Sequence, residues 1–577
     1  KFSKSKITEK TIFFEKSSHI YFYKNWILES KLVNLIRDRL KIKLYFRSKR
    51  LINSSFESVF KENPIRFGEE AINLSSEQRK AVLLAITSPF LIITGGPGTG
   101  KTSLVVIILR VLKRLGLANN PALGSPTGRA AKRMYESVKN SINSIKNLSD
   151  LKHDKELLEV GAQAKTLHRL LGYNHSKNYF KHHEFDPFEY DLLIIDEGSM
   201  IDQDMMTCLF KASNSRLPNH PPVPRLILLG DPHQLPAVRN GAVFSELTSF
   251  SKKIEIENIE NNQLKIVRLS RNYRQEIGDA SGRNILGVTE TIKNLLESKK
   301  TKLLFENNSH LNQETIQEVN SIEKVDFEKV SFLNQTNSQE KLKEFGKWWV
   351  ENFLSNEKFI FEIQKENAYE EFDYESNMEY LFKYLDRFRI LTVTQVFSTG
   401  AKAINKIIRE IWLAKYDTKN SFSEHYPGEP VMITKNDYLH DLFNGDIGIF
   451  LKFFNPDSRK VELKVVFQVN GGFKSFYANE FFHMQTAYAI TVHKSQGSEY
   501  ANLALILPEL DIELGGLDPK IKKFSEIMTS EMLYTALTRA KKSVLILGRQ
   551  SVLEFLALNK IVRFSGLGNN LILNEEL

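Results

Sequence analysis

Residues 95–102 combine glycine, lysine and threonine at a spacing that suits phosphate chemistry. Gly95 is separated by four residues from Gly100, and Lys101 and Thr102 follow directly. Glycines let backbone N–H groups converge on phosphate oxygens without clashes from Cβ atoms. The lysine can reach the β- and γ-phosphates of a nucleoside triphosphate, and the threonine hydroxyl can ligate Mg²⁺. The octet therefore predicts a phosphate-binding loop for a nucleoside triphosphate with Mg²⁺.

The flanking residues predict the elements that must hold this loop. An apolar strand is expected over 91–94, and a helix is expected to begin near Lys101. The N-terminus of that helix adds partial positive charge where phosphates would lie. A glycine turn that only joins a strand to a helix is the simpler alternative, which this context disfavours. The predicted nucleotide contacts are Gly95, Gly96, Pro97, Gly98, Thr99, Gly100, Lys101, Thr102 and Ser103.

A second apolar run, over residues 191–197, ends in two acids. Acids confined to the end of a buried parallel strand belong at the ligand edge of an open α/β sheet. We expect Asp196 to hold Mg²⁺ through water, and Glu197 to orient and deprotonate the attacking water. Two solvent-exposed acids without a catalytic role are the alternative.

Further polar residues could read the nucleotide. Gln78, upstream of the loop, has donors and an acceptor that suit adenine. Gln234 follows another apolar strand and could bond the γ-phosphate or its water. Arg274 and Arg539 are candidate arginine fingers, which would neutralise charge on the γ-phosphate. Surface salt bridges are the alternative for both arginines.

Composition sets broad limits on the class of protein. The chain has 577 residues, enough for roughly three or four domains. Its net charge of +10 permits nucleic-acid binding without proving it. The only cysteine is Cys208, which excludes an internal disulfide and a cysteine zinc site. No apolar run is long enough to predict a transmembrane helix, and we expect a cytoplasmic protein.

Other stretches indicate organisation more than chemistry. Residues 1–65 have helical periodicity, and residues 427–485 read as short strands with a hairpin turn at Asn470-Gly471. Hydroxyl and basic residues in 122–131 and 165–171 suit contacts with a phosphodiester backbone, with helix capping as the alternative. Adjacent histidines, His182 and His183, rarely point to one metal site.

Taken in order, these blocks resemble a superfamily 1 helicase, and specifically the RecD family, the alpha subunit of exodeoxyribonuclease V (RecBCD). The resemblance covers about residues 65–550. TLHRLLG and LFNGDIG favour RecD over the UvrD or Rep branch. The phrases that carry it are GGPGTGKT, TLHRLLGY, LLIIDEGSMID, GDPHQLPAV, PVMITKNDYLHDLFNGDIG, AYAITVHKSQGSE and LYTALTRAKKSV.

The resemblance implies an α/β fold with two RecA-like P-loop NTPase domains, ATP between them, a small SH3-like β insert and a helical N-terminal module. The implied boundaries are 1–65 for the N-terminal module, 66–265 for the first RecA-like domain, 266–426 with 486–577 for the second, and 427–485 for the insert. A hairpin that parts the duplex, the pin, is expected at 174–190.

The resemblance also implies site residues. ATP contacts fall on Gln78, the 95–102 loop, Gln234, Arg274, Gly497, Glu499 and Arg539. DNA contacts fall near Thr127, Thr166, His168, Asn436, Asn444, Thr491 and His493. Two positions depart from the family pattern: Gly198 stands where alanine is frequent, and Ala237 where a second proline is common.

The implied activity is ATP-dependent 5′→3′ DNA unwinding by a single-stranded-DNA-dependent ATPase. The implied setting is a nucleoid-associated heterotrimer with RecB-like and RecC-like subunits, which processes double-strand breaks for recombinational repair. Any nuclease activity would belong to a partner. Two alternatives stay open: a stand-alone RecD2-like helicase, and a structural subunit whose ATP cycle only switches an assembly.

Overall fold

The computed structural model describes two compact units, Lys1–Tyr273 with Val562–Leu577, and Arg274–Ile561. Each unit contains a six-stranded parallel sheet, which confirms the α/β fold class. The described residues are 13–16, 19–44, 47–62, 64–67, 70–71, 73–145, 152–162, 164–174, 176–214, 223–239, 241–249, 264–273, 280–298, 316–367, 374–416, 424–455, 458–469, 472–510, 524, 526–561, 563 and 565–572.

The first unit opens with a hairpin followed by helices. Residues Leu32, Val33 and Ile36 of the first helix are fully buried among strand and helix residues of the same unit. Arg39, also fully buried, donates hydrogen bonds to the carbonyls of Pro89, Ser213 and Pro224. The elements are β1 (Phe13–Lys16), β2 (His19–Phe22), α1 (Tyr23–Leu40), α2 (Lys49–Glu57), β3 (Arg66–Phe67) and β4 (Glu70–Ala71).

Apolar strands form the sheet of the first unit. Its order is β12-β5-β11-β10-β6-β7, with every pair parallel. The elements are α3 (Ser76–Thr87), β5 (Phe90–Gly95), α4 (Lys101–Arg114), β6 (Pro121–Ser125), α5 (Gly128–Asn143), α6 (Lys152–Ala162), β7 (Lys165–Thr166), α7 (Leu167–Leu170), β8 (Tyr173–Asn174), β9 (Tyr179–Phe180), β10 (Leu192–Ile195), α8 (Gln203–Asn214), β11 (Arg225–Gly230) and β12 (Lys265–Leu269).

The first unit extends beyond residue 265, where the sequence placed its boundary. Strand β12 pairs in parallel with β5, so the chain leaves this unit only after Tyr273. The described part of the C-terminal segment, residues 563 and 565–572, also belongs to it. Strands β8 and β9 form an antiparallel pair that begins at Tyr173, one residue before the stretch 174–190 where a hairpin was expected.

The second unit has its own parallel sheet, in the order β13-β14-β24-β23-β16-β22. Its elements up to the β insert are α9 (Ala280–Ser298), β13 (Gln317–Val319), β14 (Val330–Asn334), α10 (Gln339–Trp349), α11 (Glu357–Gln364), β15 (Glu366–Asn367), α12 (Tyr374–Leu385), β16 (Phe388–Thr392) and α13 (Ala401–Tyr416).

An antiparallel sheet interrupts this unit, in the order β20-β19-β18-β17-β21, where the sequence indicated short strands. The expected turn at Asn470-Gly471 lies outside the described residues, between β19 and β20. The remaining elements are β17 (Pro430–Ile433), β18 (Ile447–Asn455), β19 (Lys460–Val469), β20 (Gly472–Phe476), β21 (Met484–Thr486), β22 (Ala489–Thr491), β23 (Tyr500–Ile506), α14 (Ser530–Leu537), β24 (Ala540–Gly548), α15 (Gln550–Leu558) and α16 (Leu567–Ile572).

A buried ion cluster joins α4 to α6. Arg110 Nε lies 2.7 Å from Asp154 Oδ1, and Arg114 contributes an Nη2–Oδ2 distance of 2.6 Å. Burial alone would raise the pKa of Asp154, but hydrogen bonds from Arg114 and Arg110 outweigh it and hold that pKa below its usual value. The Asp154 carboxylate therefore forms ion pairs with two arginines at the same time.

We expect Asp154→Asn to lower the free energy of unfolding of the first unit by about 3–5 kcal/mol, because it removes the carboxylate charge from a buried cluster with two guanidinium groups. Chemical denaturation measures the loss. Because the native pKa of Asp154 is depressed, its contribution is complete above the unfolded pKa, about 4, and is lost as the pH falls through the native pKa.

Glu156→Gln is the matched control, since Glu156 pairs with Lys113 on the same two helices but lies at the surface. It should change the unfolding free energy little. Equal losses in the two variants would contradict the importance of the buried cluster.

Candidate functional site

The phosphate-binding loop joins the end of β5 to the start of α4. Gly98 and Gly100 have φ values of 78° and 76°, a left-handed conformation that favours glycine. Lys101 Nζ donates to the carbonyl oxygens of Gly95, at 2.6 Å, and Gly96, at 2.9 Å. The ammonium group is thereby held over the loop, at the N-terminus of a 14-residue helix.

Gln78 lies against this loop. Its Nε2 donates to the carbonyl of Thr99 at 3.3 Å, and its Oε1 accepts from the Ser75 N–H at 3.1 Å and from the Tyr273 hydroxyl at 2.7 Å. A Cβ on Gly100 would lie 3.0 Å from Gln78 Nε2. The structure therefore brings together the glutamine and the loop that the sequence placed in one site.

The segment after β12 contributes residues that the sequence analysis did not select. Asn272 Nδ2 donates to the carbonyl of Pro97 at 2.7 Å, and the Tyr273 N–H donates to the carbonyl of Gly98 at 3.0 Å. The two residues lie directly before Arg274, the candidate arginine finger in the sequence. Arg274 itself lies outside the described residues.

The two acids follow β10, next to β11 and β6 in the sheet. Asp196 Oδ1 accepts from the Glu197 N–H at 2.8 Å. Glu197 has a φ of 55°, which is uncommon for a residue other than glycine. This backbone turn fixes the direction in which the Glu197 carboxylate leaves the strand end.

The oxygen donors of Thr102 and Asp196 fit Mg²⁺, which prefers carboxylate, hydroxyl, phosphate and water oxygens. Within the described ranges no group of three or more histidine, cysteine, aspartate or glutamate side chains could hold a metal ion. Of the two adjacent histidines, His183 accepts a hydrogen bond at Nδ1 from the Phe185 N–H, at 3.1 Å.

Gln234 follows β11, the strand between β5 and β10. Its Nε2 donates to Asp231 Oδ2 at 3.4 Å. Its Oε1 is buried and has no hydrogen-bond partner in the part of the chain that the structure describes. A buried acceptor of this kind can take a hydrogen bond from a water or a ligand.

The two departures from the family pattern have local reasons. A Cβ on Gly198 would lie 2.7 Å from the Phe244 ring, so packing of that ring requires glycine. The Ala237 N–H donates to the carbonyl of Ser199 at 3.1 Å, a bond that proline cannot make. The loop after the acids and the loop after Gln234 are therefore joined directly.

In the second unit, β22 ends at Thr491 and continues into a short helical turn, Val492–Ser495. Gly497 has a φ of 75°, and Glu499 pairs with Lys541 at 3.3 Å. Arg539 is buried and donates to the carbonyls of Thr535 and Ser498. Burial lowers the pKa of His493 below its usual value, which favours the neutral imidazole.

The remaining predicted DNA contacts lie in two places. Thr127 follows β6, and Thr166 is the last residue of the neighbouring strand β7; their side chains cap α5 and α7. The His168 ring centroid lies 5.5 Å from that of Tyr173. In the β insert, the Asn444 N–H donates to Asn436 Oδ1 at 2.9 Å. These positions are compatible with DNA contact, which stays a prediction.

Comparisons with known proteins found a matching family model, similar RecD proteins and solved structures with some likeness to this chain. A family model described as an AAA domain matches residues 78–240. The RecBCD enzyme subunit RecD of Haemophilus influenzae is 30% identical over 564 residues, covering 95% of this chain and 79% of that protein. RecD of Mycolicibacterium smegmatis is 27% identical, covering 86% and 74%. A solved structure of Bacteroides Pif1 bound to ssDNA matches with 17% identity and a TM-score of 0.38, covering 82% of this chain and 92% of that one.

The parallel sheet, the loop after β5 and the acids after β10 define the first unit as a P-loop NTPase. The extent of the identity to RecD then settles the family. The chain belongs to the RecD family, and the resemblance found in the sequence is confirmed. None of the helices in the described part of the chain has the length and apolar character that crossing a membrane requires.

We expect Gln78→Ala to weaken ATP binding by about tenfold while changing GTP binding much less. The change removes the amide that we expect to bond adenine, and a site built for hydrogen bonds discriminates strongly against a mismatched partner. Equilibrium titrations with both nucleotides measure the difference. Arg79→Ala, an exposed neighbour on α3, is the control. An equal loss for the two nucleotides would contradict a role in reading adenine.

Proposed function

We propose that the protein is an ATP-dependent DNA helicase, a motor that hydrolyses ATP in response to single-stranded DNA and moves 5′→3′. The observation that carries this proposal is the meeting of three loops at one edge of the first sheet. They follow β5, β11 and β10, which are neighbours in the sheet. These loops carry Lys101, Gln234 and Glu197 respectively. Membership of the RecD family supports the same activity.

Each residue has a chemical role in this proposal. Lys101 binds the β- and γ-phosphates, and Thr102 and Asp196 hold Mg²⁺, which supplies charge neutralisation on the phosphates when it is bound. Glu197 accepts a proton from the attacking water. Gln234, with its buried acceptor, hydrogen-bonds that water and responds to loss of the γ-phosphate. Gly497, Glu499, Arg274 and Arg539 complete the predicted set.

The DNA contacts would fall on Thr127, Thr166, His168, Asn436, Asn444, Thr491 and His493. Hydroxyl, amide and imidazole groups of this kind bind phosphates and stacked bases without reading sequence. Binding should therefore be tolerant of sequence and sensitive to salt. We assign parting of the duplex to the hairpin within residues 174–190, and further contact with the strand to the β insert.

We infer the biological setting of the chain from the family to which it belongs. RecD relatives carry the name of a RecBCD subunit. We infer that this chain is the motor subunit of a RecBCD-type helicase and nuclease, with RecB-like and RecC-like partners, which acts on broken duplex ends in recombinational repair. We place it in the cytoplasm, at the nucleoid. The same motor working alone is the second candidate, and a pull-down for large helicase and nuclease subunits separates the two.

We expect ATP hydrolysis by the purified chain to rise strongly when single-stranded DNA is added, and Lys101→Gln to abolish it.

Glu197→Gln should retain ATP binding and lower kcat by about 10²–10⁴-fold, because it removes the proton acceptor and keeps the shape of the side chain. Steady-state hydrolysis and nucleotide titrations measure both effects, and oligonucleotides with a duplex at either end measure polarity.

Lys80→Gln and Glu189→Gln, which alter exposed residues of the same unit, are the controls. They should leave hydrolysis unchanged. No stimulation by DNA at low salt would exclude an autonomous motor. Recovery of activity on adding RecB-like and RecC-like subunits would then identify a motor that depends on its partners, and no recovery would identify a nucleotide switch.

A further inference from the structure

A strained aromatic residue lies in the loop between β16 and α13 of the second unit. Phe397 has a φ of 75°, in the left-handed region, and its side chain is 60% exposed. Bulky residues rarely adopt this conformation, because Cβ crowds the following carbonyl. The neighbouring Val396 is 50% exposed. The loop thus presents apolar side chains to solvent and accepts backbone strain in doing so.

The rest of the loop enforces this conformation. The Thr394 hydroxyl donates to the carbonyl of Val396 at 2.7 Å, and the Gly400 N–H donates to the carbonyl of Phe397 at 3.1 Å. The Ala401 N–H donates to the carbonyl of Thr394 at 3.0 Å. A Cβ on Gly400 would lie 2.0 Å from the Val396 oxygen, so only glycine permits this approach. These bonds fix the backbone at Phe397, and its ring is held on one side by Phe524, whose ring centroid lies 5.2 Å away.

The loop leaves the sheet beside the segment that carries Thr491 and His493. Strands β16 and β22 are parallel neighbours, with Thr392 opposite Thr491. The loop is also tied to the β insert, because Gln395 Nε2 donates to Gln485 Oε1 at 3.3 Å. The strained aromatic residue and the predicted DNA contacts of this unit thus share one edge of the sheet.

Positive charge accompanies the aromatic ring. Lys402 is exposed and is the second residue of α13, where its N–H donates to the carbonyl of Gln395 at 3.1 Å. Lys494 follows His493, and its pKa is lowered mainly by burial and further by the charge of Lys402. Lys402 lies at the start of α13 and Lys494 in the helical turn directly after β22, the strand that pairs with β16. Lysine side chains on elements of one sheet edge suit contacts with phosphates.

We propose that the ring of Phe397 is a stacking platform for one base of single-stranded DNA, and that Lys402 and Lys494 bind the flanking phosphates. This inference rests on the proposed function. Proteins that bind single strands without sequence preference combine a basic path with aromatic rings, since every base has a stackable face. A ring fixed in direction stacks without the loss of freedom that a mobile side chain would incur.

The proposal is tested by equilibrium binding of a fluorescent oligonucleotide to the full chain at low salt. Phe397→Leu, which keeps an apolar side chain without a ring, should weaken binding by about five- to one-hundred-fold, the loss expected for one stacked base. Phe397→Tyr should bind within about threefold of the unmodified chain, because it keeps the ring. Phe361→Leu, which alters a phenylalanine of α11 that is 66% exposed, is the control and should bind normally.

A scan of abasic sites through the oligonucleotide identifies the contact as a base. The oligonucleotide carries a duplex at one end, which holds the chain in one register on a strand that it otherwise binds without sequence preference. For the unmodified chain, one position should then lower affinity markedly when its base is removed, and at that position Phe397→Leu should show no further loss. Phe397→Gly should also bind DNA poorly, yet unfold at an equal or higher temperature, because glycine relieves the backbone strain. Weak binding without loss of stability separates this contact from a folding defect.

Normal binding by Phe397→Leu would overturn the proposal. So would a loss in Phe397→Leu that adds to the loss at every abasic site, because the ring would then not act by stacking on one base. If the unmodified chain itself fails to bind single-stranded DNA at low salt, the proposed function fails first, and the two failures are distinguished by that measurement.

Discussion

The position of β5 within its sheet is the constraint on which the first unit depends. It lies between β12 and β11, and all six of its residues are buried. Because neighbouring strands lie about 4.8 Å apart and run in parallel, the loops that follow them leave the same edge in a fixed order. A slip of one residue would turn buried side chains toward the opposite face, so burial fixes the register. The loop after β5 and the acids after β10 are held in place by this arrangement.

Hydrogen bonds outside the sheet tie these loops to both ends of the chain. The Ala237 N–H bonds the loop after the acids, while the Arg563 guanidinium donates to the carbonyls of Ala237, Arg239 and Gly241. The segment that carries Arg563 is held in turn by buried Glu29 of α1, which accepts from the Ser565 hydroxyl and the Gly566 N–H. The loop that follows Gln234 is therefore braced by elements remote from it in sequence.

Local patterns carried most of the information that the sequence could give. The glycine spacing of 95–102, the apolar runs ending at Ile195 and Gly230, and the alternating strands of the β insert each fix an element without reference to the rest of the chain. The observed α/β class and both parallel sheets follow from such elements. Chemistry was equally local: lysine and threonine after the glycines, and acids at a strand end.

What the sequence could not give depends on pairing between distant residues. Strand β12, with the sequence KIVRL, would suit either parallel sheet, and only its pairing with β5 assigns it to the first. The return of residues 565–572 to α1 is held by apolar packing of Leu567 and by long-range hydrogen bonds to buried Glu29, which in the sequence is one acid among many. Tyr273 was missed because its hydroxyl acts on Gln78, 195 residues earlier in the chain.

Each of the two units has a residue other than glycine with a strained backbone in a loop beside its parallel sheet. Among the described residues, those with a positive φ other than glycine are Asn178, Glu197, Phe397, Asp441 and Arg459. Asparagine and aspartate tolerate this conformation, and Arg459 lies directly before β19, at a turn. Glu197 and Phe397 are different, because each follows a strand of a parallel sheet and each is held by hydrogen bonds of its own loop.

A left-handed residue of this size costs about 1–2 kcal/mol, which a glycine would avoid. Replacement of the residue by glycine would remove its side chain. At Glu197 that side chain is the carboxylate proposed to activate water, and at Phe397 it is an exposed ring proposed to stack on a base. In both units the strained residue lies in a loop that follows a strand of a parallel sheet, and we infer that the strain directs a side chain toward a ligand. The same physical device would then position a proton acceptor in one sheet and a base-stacking surface in the other.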